Sequence, residues 1–198
     1  RLMSRGLGDV YKRQQCIGLE AAVQMVGFYE RAGFQKDCIT TRRQMLFRSE
    51  ATLDLSPSQR SDVAVVPLRE VSLEAIQRYD ERHEISPRPH FLELWLRHRA
   101  GDVFAARDAE GECHGYVRIR PCLLPIGEGW RVGPWLAEDP GMASLLLNNA
   151  LDHHNGVVLI DTPGHNPSAK TILSARGFKP MTSTVRMYKG VIPRGHDR

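Results

Sequence analysis

Several features that mark specialised classes of protein are missing from this 198-residue sequence. No apolar run approaches the roughly 20 residues that a membrane-spanning helix needs. Lysine and arginine form no stripe interleaved with aromatic residues, the pattern typical of nucleic-acid binding. The sequence therefore predicts no membrane segment and no nucleic-acid partner.

Cysteine is sparse and carries no metal-binding signature. The four cysteines form no CxxC pair, and no group of cysteines and histidines has the spacing of a zinc site. We expect no bound metal. No secretory signal is visible, so a reduced, cytoplasmic setting is the expectation. The cysteines are Cys16, Cys38, Cys113 and Cys122.

The composition is that of a globular protein with a mild positive charge. Hydrophobic residues make up 41% of the chain, charged residues make up 25%, and the net charge is +4. A chain of this size can bury one good core plus a fragment of another. The charge is compatible with binding small anionic molecules.

The most informative feature is an internal repeat. Two helical segments end in Gly-Phe, at Phe34 and at Phe178, and an arginine in a β-like run follows each Phe by eight residues, at Arg42 and Arg186. The 144-residue interval between positions 34 and 178 is a normal domain length. We infer two copies of one fold. Only 33 residues precede Phe34, so the first copy is expected to be incomplete.

This repeat sets the predicted domain boundaries. We expect a remnant of the first copy at residues 15–48, a polar linker at 49–62, a complete second copy at 63–190 and a tail at 191–198. Residues 1–14 show little apolar periodicity and resemble a translated sequencing-adaptor stretch. We therefore interpret them as an artefact or a disordered segment, with a genuine disordered arm as the alternative.

Along the chain, periodicity and turn residues predict a strand at 16–20, a helix at 21–32 and a strand or hairpin arm at 39–48. The second copy reads as a strand at 63–68, helices at 72–79 and 86–99, and strands at 102–107, 113–120 and 129–137. A helix at 140–154, a strand at 157–161, a helix after Asn166 and a final strand pair at 178–190 complete it. Ser72, Asp139 and Asn166 are the predicted helix caps.

This order, together with the two helix-Gly-Phe endings and the strand, break and helix between Arg131 and Leu147, resembles the GNAT acyltransferase fold. The resemblance covers nearly all of residues 16–190 and is closest to the second domain of a tandem-GNAT group. It implies an α/β (α+β) fold with a mixed, mostly antiparallel sheet flanked by helices. It also implies transfer of an acyl group from acetyl-CoA to an amine.

The resemblance places the cofactor at the start of the helix near residue 140. Leu136, Gly141, Met142, Ala143 and Asn166 are the residues expected to bind acetyl-CoA. Small residues let a diphosphate approach backbone N–H groups at a helix N-terminus. Asn166 before a proline is equally a plain helix cap.

Three residues at this helix start depart from the family pattern. Glu138 and Asp139 put negative charge beside the expected diphosphate, and Pro140 removes one N–H donor. The alternative interpretation is a helix start with no ligand, in which Gly141 is incidental.

A break is expected in the strand before this helix. Gly133-Pro134 predicts a bulge that separates the strand from its neighbour and opens a slot for the cofactor, because proline cannot donate to the strand ladder. A simple strand-end turn is the alternative. Trp135 would then lie near the mouth of the slot, as a wall residue that meets substrate or as part of the core.

The two copies differ at the expected catalytic position. Counting back from Gly-Phe, the first copy has Tyr29 where the family has its catalytic tyrosine, and the second has Leu173, which can donate nothing. Tyr29 is therefore the candidate general acid, with an interfacial packing residue as the alternative. Arg88 is the candidate substrate-binding residue, either meeting a substrate carboxylate or pairing with a neighbouring acidic residue.

The resemblance favours an N-acetyltransferase that uses acetyl-CoA and an amine-bearing acceptor, a small molecule or a protein. The 198-residue chain itself is expected to be weakly active or inactive. The alternative is a non-catalytic GNAT-like module that completes the substrate pocket of a tandem enzyme. The sequence leaves the acceptor and the oligomeric state open.

Overall fold

The computed structural model describes residues 16–47, 62–84, 87–125, 127–152 and 154–191. The predictions for residues 1–14, for nearly all of the linker and for the end of the tail fall outside these ranges. Within them no helix is long and apolar enough to cross a membrane.

The described residues form eight strands and five α-helices. The strands are β1 (Cys16–Ala22), β2 (Gln35–Phe47), β3 (Ala64–Pro67), β4 (Asp102–Arg107), β5 (Cys113–Leu124), β6 (Gly127–Ala137), β7 (Gly156–Pro163) and β8 (Lys179–Gly190). The helices are α1 (Val26–Arg31), α2 (Leu73–His83), α3 (Pro89–Leu96), α4 (Pro140–Leu151) and α5 (Pro167–Ala175).

All eight strands join one sheet in the order β1-β8-β2-β7-β6-β5-β4-β3. The pair β6 and β7 is parallel, and the other neighbours are antiparallel. The predicted fold, a mixed and mostly antiparallel sheet flanked by helices, is confirmed.

Helices cover both faces of the second copy's part of the sheet. Consecutive residues of a strand point to opposite faces, and on β5 Tyr116 belongs to one buried cluster while Val117 belongs to another. Helices α2 and α3 pack on the face of Tyr116, through residues such as Ile76 and Leu92. Helices α4 and α5 pack on the opposite face, with Leu146 among their buried residues. The sheet between these layers supplies the floor on which the candidate site is built.

The predicted caps are confirmed at three helix starts. The side chain of Ser72 accepts a hydrogen bond from the Ala75 N–H at 3.1 Å. Asp139 accepts from the N–H of Met142, and Asn166 accepts from the N–H of Ala169. These caps satisfy N–H groups that have no partner within the helix, and so fix where each helix leaves the sheet.

Several predicted elements are wrong in detail. The helix predicted at 86–99 spans Pro89–Leu96, and the strand predicted from residue 39 begins at Gln35. Ala21 and Ala22 belong to β1 and not to a helix, because they pair with β8, and α1 begins only at Val26. The predicted C-terminal strand pair is one long strand. That strand is bordered by β1 on one edge and by β2 on the other, so it needs no hairpin to complete its pairing.

The inferred repeat, which stays a prediction, coincides with an exchange of strands in the sheet. Strand β2 of the first copy lies between β7 and β8, and β8 of the second copy lies between β1 and β2. In the β2–β8 ladder, Thr40 is opposite Thr184, its counterpart 144 residues later. The same 144-residue offset relates the two pairs on either side: the counterpart of Ile39 is Ser183, and the counterpart of Thr41 is Val185, so the pair Ile39–Val185 corresponds to the pair Thr41–Ser183. A local two-fold axis therefore passes between the two threonines.

Two ion pairs are related by this local two-fold axis. Arg42 on β2 contacts Asp161 on β7, and Arg186 on β8 contacts Glu20 on β1, each with an Nε–carboxylate distance of 2.7 Å. Asp161 also accepts a hydrogen bond from Arg131 of β6. Each arginine of the repeat thus holds a carboxylate on a strand of the other copy.

The helix ends match as well. The N–H of Phe34 donates to the Tyr29 carbonyl and the N–H of Phe178 donates to the Leu173 carbonyl, both at 3.0 Å. Gly33 and Gly177 have positive φ, 88° and 81°, which glycine adopts without steric cost. Tyr29 and Leu173 are therefore structurally equivalent. The described parts of the two copies share one sheet, and their division into two domains stays a prediction.

We expect the Asp161 ion pair to stabilise the strand exchange. Replacing Asp161 with Asn leaves two half-buried arginines, Arg42 and Arg131, without a counter-charge, and should lower the free energy of unfolding by about 1–3 kcal/mol. Urea denaturation measures this. The control is Glu93→Gln in the exposed Glu93–Arg97 pair, which should cost about 0–0.5 kcal/mol. An equal effect of both substitutions would contradict a role for the exchange pair.

Candidate functional site

The site begins where β6 separates from β7. The two strands pair only from Trp130 to Val132 on β6 and from Val158 to Ile160 on β7. On the other edge of β6, the register with β5 shifts between Val132 and Trp135, so that Gly133 and Pro134 together stand against the single residue Arg118 of β5. The predicted bulge at Gly133-Pro134 is confirmed, and beyond it the two strands diverge.

A cleft of about 440 Å³ fills the gap. Its walls are the end of β6 from Val132 to Ala137, the end of β7 from Ile160 to Pro163, and the first turns of α4 and α5. On the α2 side Tyr79 and His83 line it. The cleft is open to solvent and of a size that holds a small-molecule ligand.

The sequence-predicted cofactor residues divide into two groups. Leu136, Ala143 and Asn166 line the cleft. Gly141 is not among the lining residues. The Met142 side chain is buried in the core, only 1% exposed, so only its backbone could meet a ligand.

At the start of α4 the protein already occupies two N–H donors. The Asp139 side chain accepts a hydrogen bond from the Met142 N–H at 2.8 Å, and the Asp139 carbonyl accepts from the Ala143 N–H at 2.9 Å. Pro140 contributes no N–H. A diphosphate would have to compete with the Asp139 carboxylate for the Met142 N–H.

Glu138 is held by a neighbour that the sequence did not reveal. Its Oε2 lies 3.0 Å from Nδ1 of His114, and Nε2 of the same imidazole lies 2.7 Å from Oδ2 of Asp108. The hydrogen bond from His114 holds the pKa of the Asp108 carboxyl below its ordinary value. When His114 is protonated, it offsets part of the Glu138 charge that the sequence placed beside the cofactor.

Trp135 and Asn166 both have protein partners. The Trp135 indole donates to the Ala143 carbonyl at 2.9 Å and its ring packs against the core, so it forms a wall of the cleft. The Asn166 side-chain oxygen caps α5 by accepting from Ala169 at 2.9 Å. Both residues also face the cleft, so a contact of either with a ligand stays a prediction.

The position of the second copy that is expected to be catalytic is filled by a buried leucine. Leu173 is fully buried in the core. Tyr29 lies on α1, with its ring edge-on to Phe28 and Phe34 at centroid distances of 5.4 and 5.7 Å. It packs on the small cluster that contains Val26, away from the β6–β7 cleft. The structure does not bring Tyr29 together with the predicted cofactor residues.

Arg88 pairs with an acidic neighbour, one of the two predicted alternatives. Its guanidinium makes two hydrogen bonds to the buried carboxylate of Asp80, at 2.9 and 2.7 Å, and contacts Glu84 at 2.9 Å. Asp80 also accepts from the Tyr116 hydroxyl. This network ties the start of α3 to α2. Substrate binding by Arg88 stays a prediction.

Asp161 is the main charge on the β7 side of the cleft. Burial by itself would raise the pKa of its carboxyl, but the hydrogen bond from Arg42 and the charge of Arg131 hold it below its ordinary value. The carboxylate is therefore ionised at neutral pH and is engaged by two arginines. Because both arginines bind it, the Asp161 carboxylate is not available as a general base in the cleft.

A possible metal-ligand cluster lies elsewhere. Asp37, Cys38 and His165 each bring one ligand atom within 4.8 Å of the others. Three ligands are fewer than the four of a closed structural zinc site. The expectation that no metal is used remains untested.

The comparisons with known proteins agree with this geometry. Residues 76–198, more than half of the chain, match the family model described as an acetyltransferase (GNAT) domain. This chain belongs to the GNAT acetyltransferase family. GNAT folds generally bind acetyl-CoA, and family members act on amine acceptors. The break in β6 and the cleft beside it lie within the matched GNAT domain.

Several relatives extend over nearly the whole chain. A holothin acyltransferase from Pseudoalteromonas sp. (strain SANK 73390) is 24% identical over 92% of this chain and 58% of its own length. A candidate acetyltransferase from Pyrococcus horikoshii matches with a TM-score of 0.69 and 21% identity, over 96% of this chain and 59% of its own.

A GCN5-related N-acetyltransferase from Sphaerobacter thermophilus matches with a TM-score of 0.58 and 14% identity, over 89% of this chain and 61% of its own. These structural matches show the GNAT fold. The chain spans about three fifths of the length of these relatives.

The His114 network gives a pH-dependent prediction. Replacing His114 with Ala should raise the pKa of Asp108, because the hydrogen bond that lowers it is removed. A depressed pKa contributes stability above the unfolded value of about 4, and this contribution is lost as pH falls through the folded pKa. Carboxyl titration by NMR measures the shift. Glu110→Ala, in the same turn, should leave Asp108 unchanged, and an unchanged pKa in His114→Ala would contradict the assigned cause.

Proposed function

We propose that the protein from which this chain comes is an N-acetyltransferase that moves an acetyl group from acetyl-CoA to an amine. The observation that carries this proposal is the cleft opened by the Gly133-Pro134 bulge beside the starts of α4 and α5. Diverging strands leave backbone groups unpaired, which suits an amide-bearing ligand arm, and helix N-termini suit its phosphates.

The chemistry is direct attack in a ternary complex. The amine nitrogen bonds to the thioester carbonyl carbon, the carbon–sulfur bond breaks, and the proton lost by the amine balances the thiolate of coenzyme A. A group that donates to the leaving sulfur assists this step. For this chain Tyr29 is the proposed donor, in the site of the first copy, and Leu173 removes the equivalent donor from the second.

We further propose that the chain is part of a tandem protein whose first copy extends upstream. The strand exchange, the paired Arg42–Asp161 and Arg186–Glu20 contacts and the matching helix ends support two copies of one fold. The greater length of the relatives is consistent with this. On this proposal residues 15–48 complete the first copy, and the 198-residue chain alone is weakly active or inactive.

The acceptor is proposed only as an amine, of a small molecule or a protein. One relative carries the name holothin acyltransferase, which supports a small-molecule acceptor. Arg88 and Trp135 are the residues we propose to lie nearest to it. A cytoplasmic location is proposed because all four cysteines are unpaired, as is usual in a reducing compartment.

A second candidate function follows from two observations. Leu173 is buried where a donor is needed, and Asp139 occupies the Met142 N–H where a diphosphate would bind. In this alternative the second copy is a non-catalytic module that completes the substrate pocket of the first copy.

Cofactor binding by the second copy separates these functions. Glu138→Gln should strengthen acetyl-CoA binding by about two- to tenfold, since it removes a like charge near the diphosphate, and more so at low salt. Gly141→Glu should abolish binding by crowding and charge. Isothermal calorimetry measures both, with Glu110→Gln as a control of equal charge change that should bind as the unmodified chain does. No binding by the unmodified chain or by Glu138→Gln would favour the non-catalytic module.

Activity through the first copy gives a separate test. In the longer protein, Tyr29→Phe should lower turnover by about ten- to a thousandfold with little change in acetyl-CoA binding, the range expected for losing one general acid. Phe34→Leu, which disturbs the same aromatic cluster without removing a hydroxyl, should change turnover much less. Robust transfer by the 198-residue chain, unaffected by Tyr29→Phe, would instead make the second copy the enzyme.

A further inference from the structure

The hydroxyl of Tyr79 is buried and has no hydrogen-bond partner among the described residues. Tyr79 is 0% exposed. The neighbouring Tyr116 is equally buried, but its hydroxyl donates to Asp80. The two tyrosines therefore sit in the same environment with opposite hydrogen-bond status.

Tyr79 also faces the cleft. It lines the cleft together with His83, Leu136 and Glu138. Its ring stacks on His83 at a centroid distance of 4.1 Å and meets Tyr116 edge-on at 6.3 Å. These contacts hold the ring, so its position does not depend on a ligand.

An unpaired hydroxyl in such a place destabilises the folded chain. A buried donor without a partner loses its hydrogen bonds to water and gains none in return. Phenylalanine would fill nearly the same space without this cost. The hydroxyl thus has an unmet hydrogen-bond requirement, and because Tyr79 lines the cleft, a ligand bound there is the candidate acceptor.

We propose that the Tyr79 hydroxyl donates a hydrogen bond to a carbonyl oxygen of an acyl-CoA molecule bound in the β6–β7 cleft. This rests on the proposed function of the cleft. The acceptor is an amide carbonyl of the pantetheine arm or the thioester carbonyl itself. Tyr79 is a ligand-binding residue in this role, and no proton leaves it.

The surroundings of the hydroxyl agree with a neutral acceptor. Burial raises the pKa of Tyr79, and the negative charge of Glu138 raises it further, so the phenol stays protonated and available as a donor. The same Glu138 charge disfavours a phosphate at this point. A carbonyl oxygen accepts a hydrogen bond without bringing a net charge.

The test is Tyr79→Phe in the 198-residue chain. We expect its thermal midpoint to stay unchanged or to rise by up to about 4 °C, because the unpaired hydroxyl is gone. We expect acetyl-CoA to bind about three- to tenfold more weakly by calorimetry, as for one lost hydrogen bond. Adenosine 3′,5′-bisphosphate, which lacks the pantetheine arm, should bind as it does to the unmodified chain.

Tyr116→Phe is the matched control. It also removes one buried tyrosine hydroxyl, but one that has a protein partner in Asp80. Its thermal midpoint should fall. Opposite shifts in the two variants would show that only the Tyr79 hydroxyl lacks a partner in the free protein.

Free coenzyme A distinguishes the two carbonyl sources. If Tyr79→Phe weakens coenzyme A and acetyl-CoA equally, the acceptor is a pantetheine amide. If only acetyl-CoA is weakened, the acceptor is the thioester carbonyl. Either result supports the inference.

Three results would overturn it. Equal acetyl-CoA affinity in Tyr79→Phe and the unmodified chain would refute the inference and leave the proposed function standing. A thermal midpoint that falls in Tyr79→Phe as it does in Tyr116→Phe would mean that the protein itself satisfies the hydroxyl. No acetyl-CoA binding by the unmodified chain would remove the cofactor role of this cleft, and the inference with it.

Discussion

The structure depends on the antiparallel pairing of β2 with β8, across which the two copies exchange strands. This ladder joins the β1–β8 pair to the rest of the sheet, because β8 lies between β1 and β2 and β2 continues the sheet through β7. Each exchanged strand carries an arginine to a carboxylate of the other copy, Arg42 to Asp161 and Arg186 to Glu20. Partly buried ion pairs of this kind fix register more strongly than exposed ion pairs do, and Arg42 holds Asp161 through two hydrogen bonds.

The same exchange positions the cleft. Strand β7 is held on one edge by β2 over eight residue pairs, from Thr40 to Phe47, so it cannot follow β6 when the bulge turns that strand away. Asp161 lies where the strands part and is bound by an arginine from each side, Arg42 of β2 and Arg131 of β6. The cleft is therefore kept open by pairing on its far side, and its electrostatics are set by residues from both copies.

Much of this was predictable from local sequence. The caps at Ser72 and Asp139 and the bulge at Gly133-Pro134 each rest on residues close in the chain, whose backbone preferences act over a few positions. The helix predicted from Ala21 failed, since pairing with β8 outweighed local helix propensity. Tyr79 could not be identified as a cleft residue, because the pattern of an amphipathic helix predicts only that a tyrosine on its apolar face lies in the hydrophobic core.

The sequence by itself indicated the family and the starts of α2, α4 and α5, because capping residues and proline act on their own neighbourhood. Only the tertiary structure decided which charges meet. The ion pair of Arg42 with Asp161 and the contact of His114 with Glu138 join residues far apart in the chain. Which hydroxyl is left without a partner, Tyr79 or Tyr116, was likewise settled by packing, since a hydrogen bond depends on where two atoms lie and not on how many residues separate them.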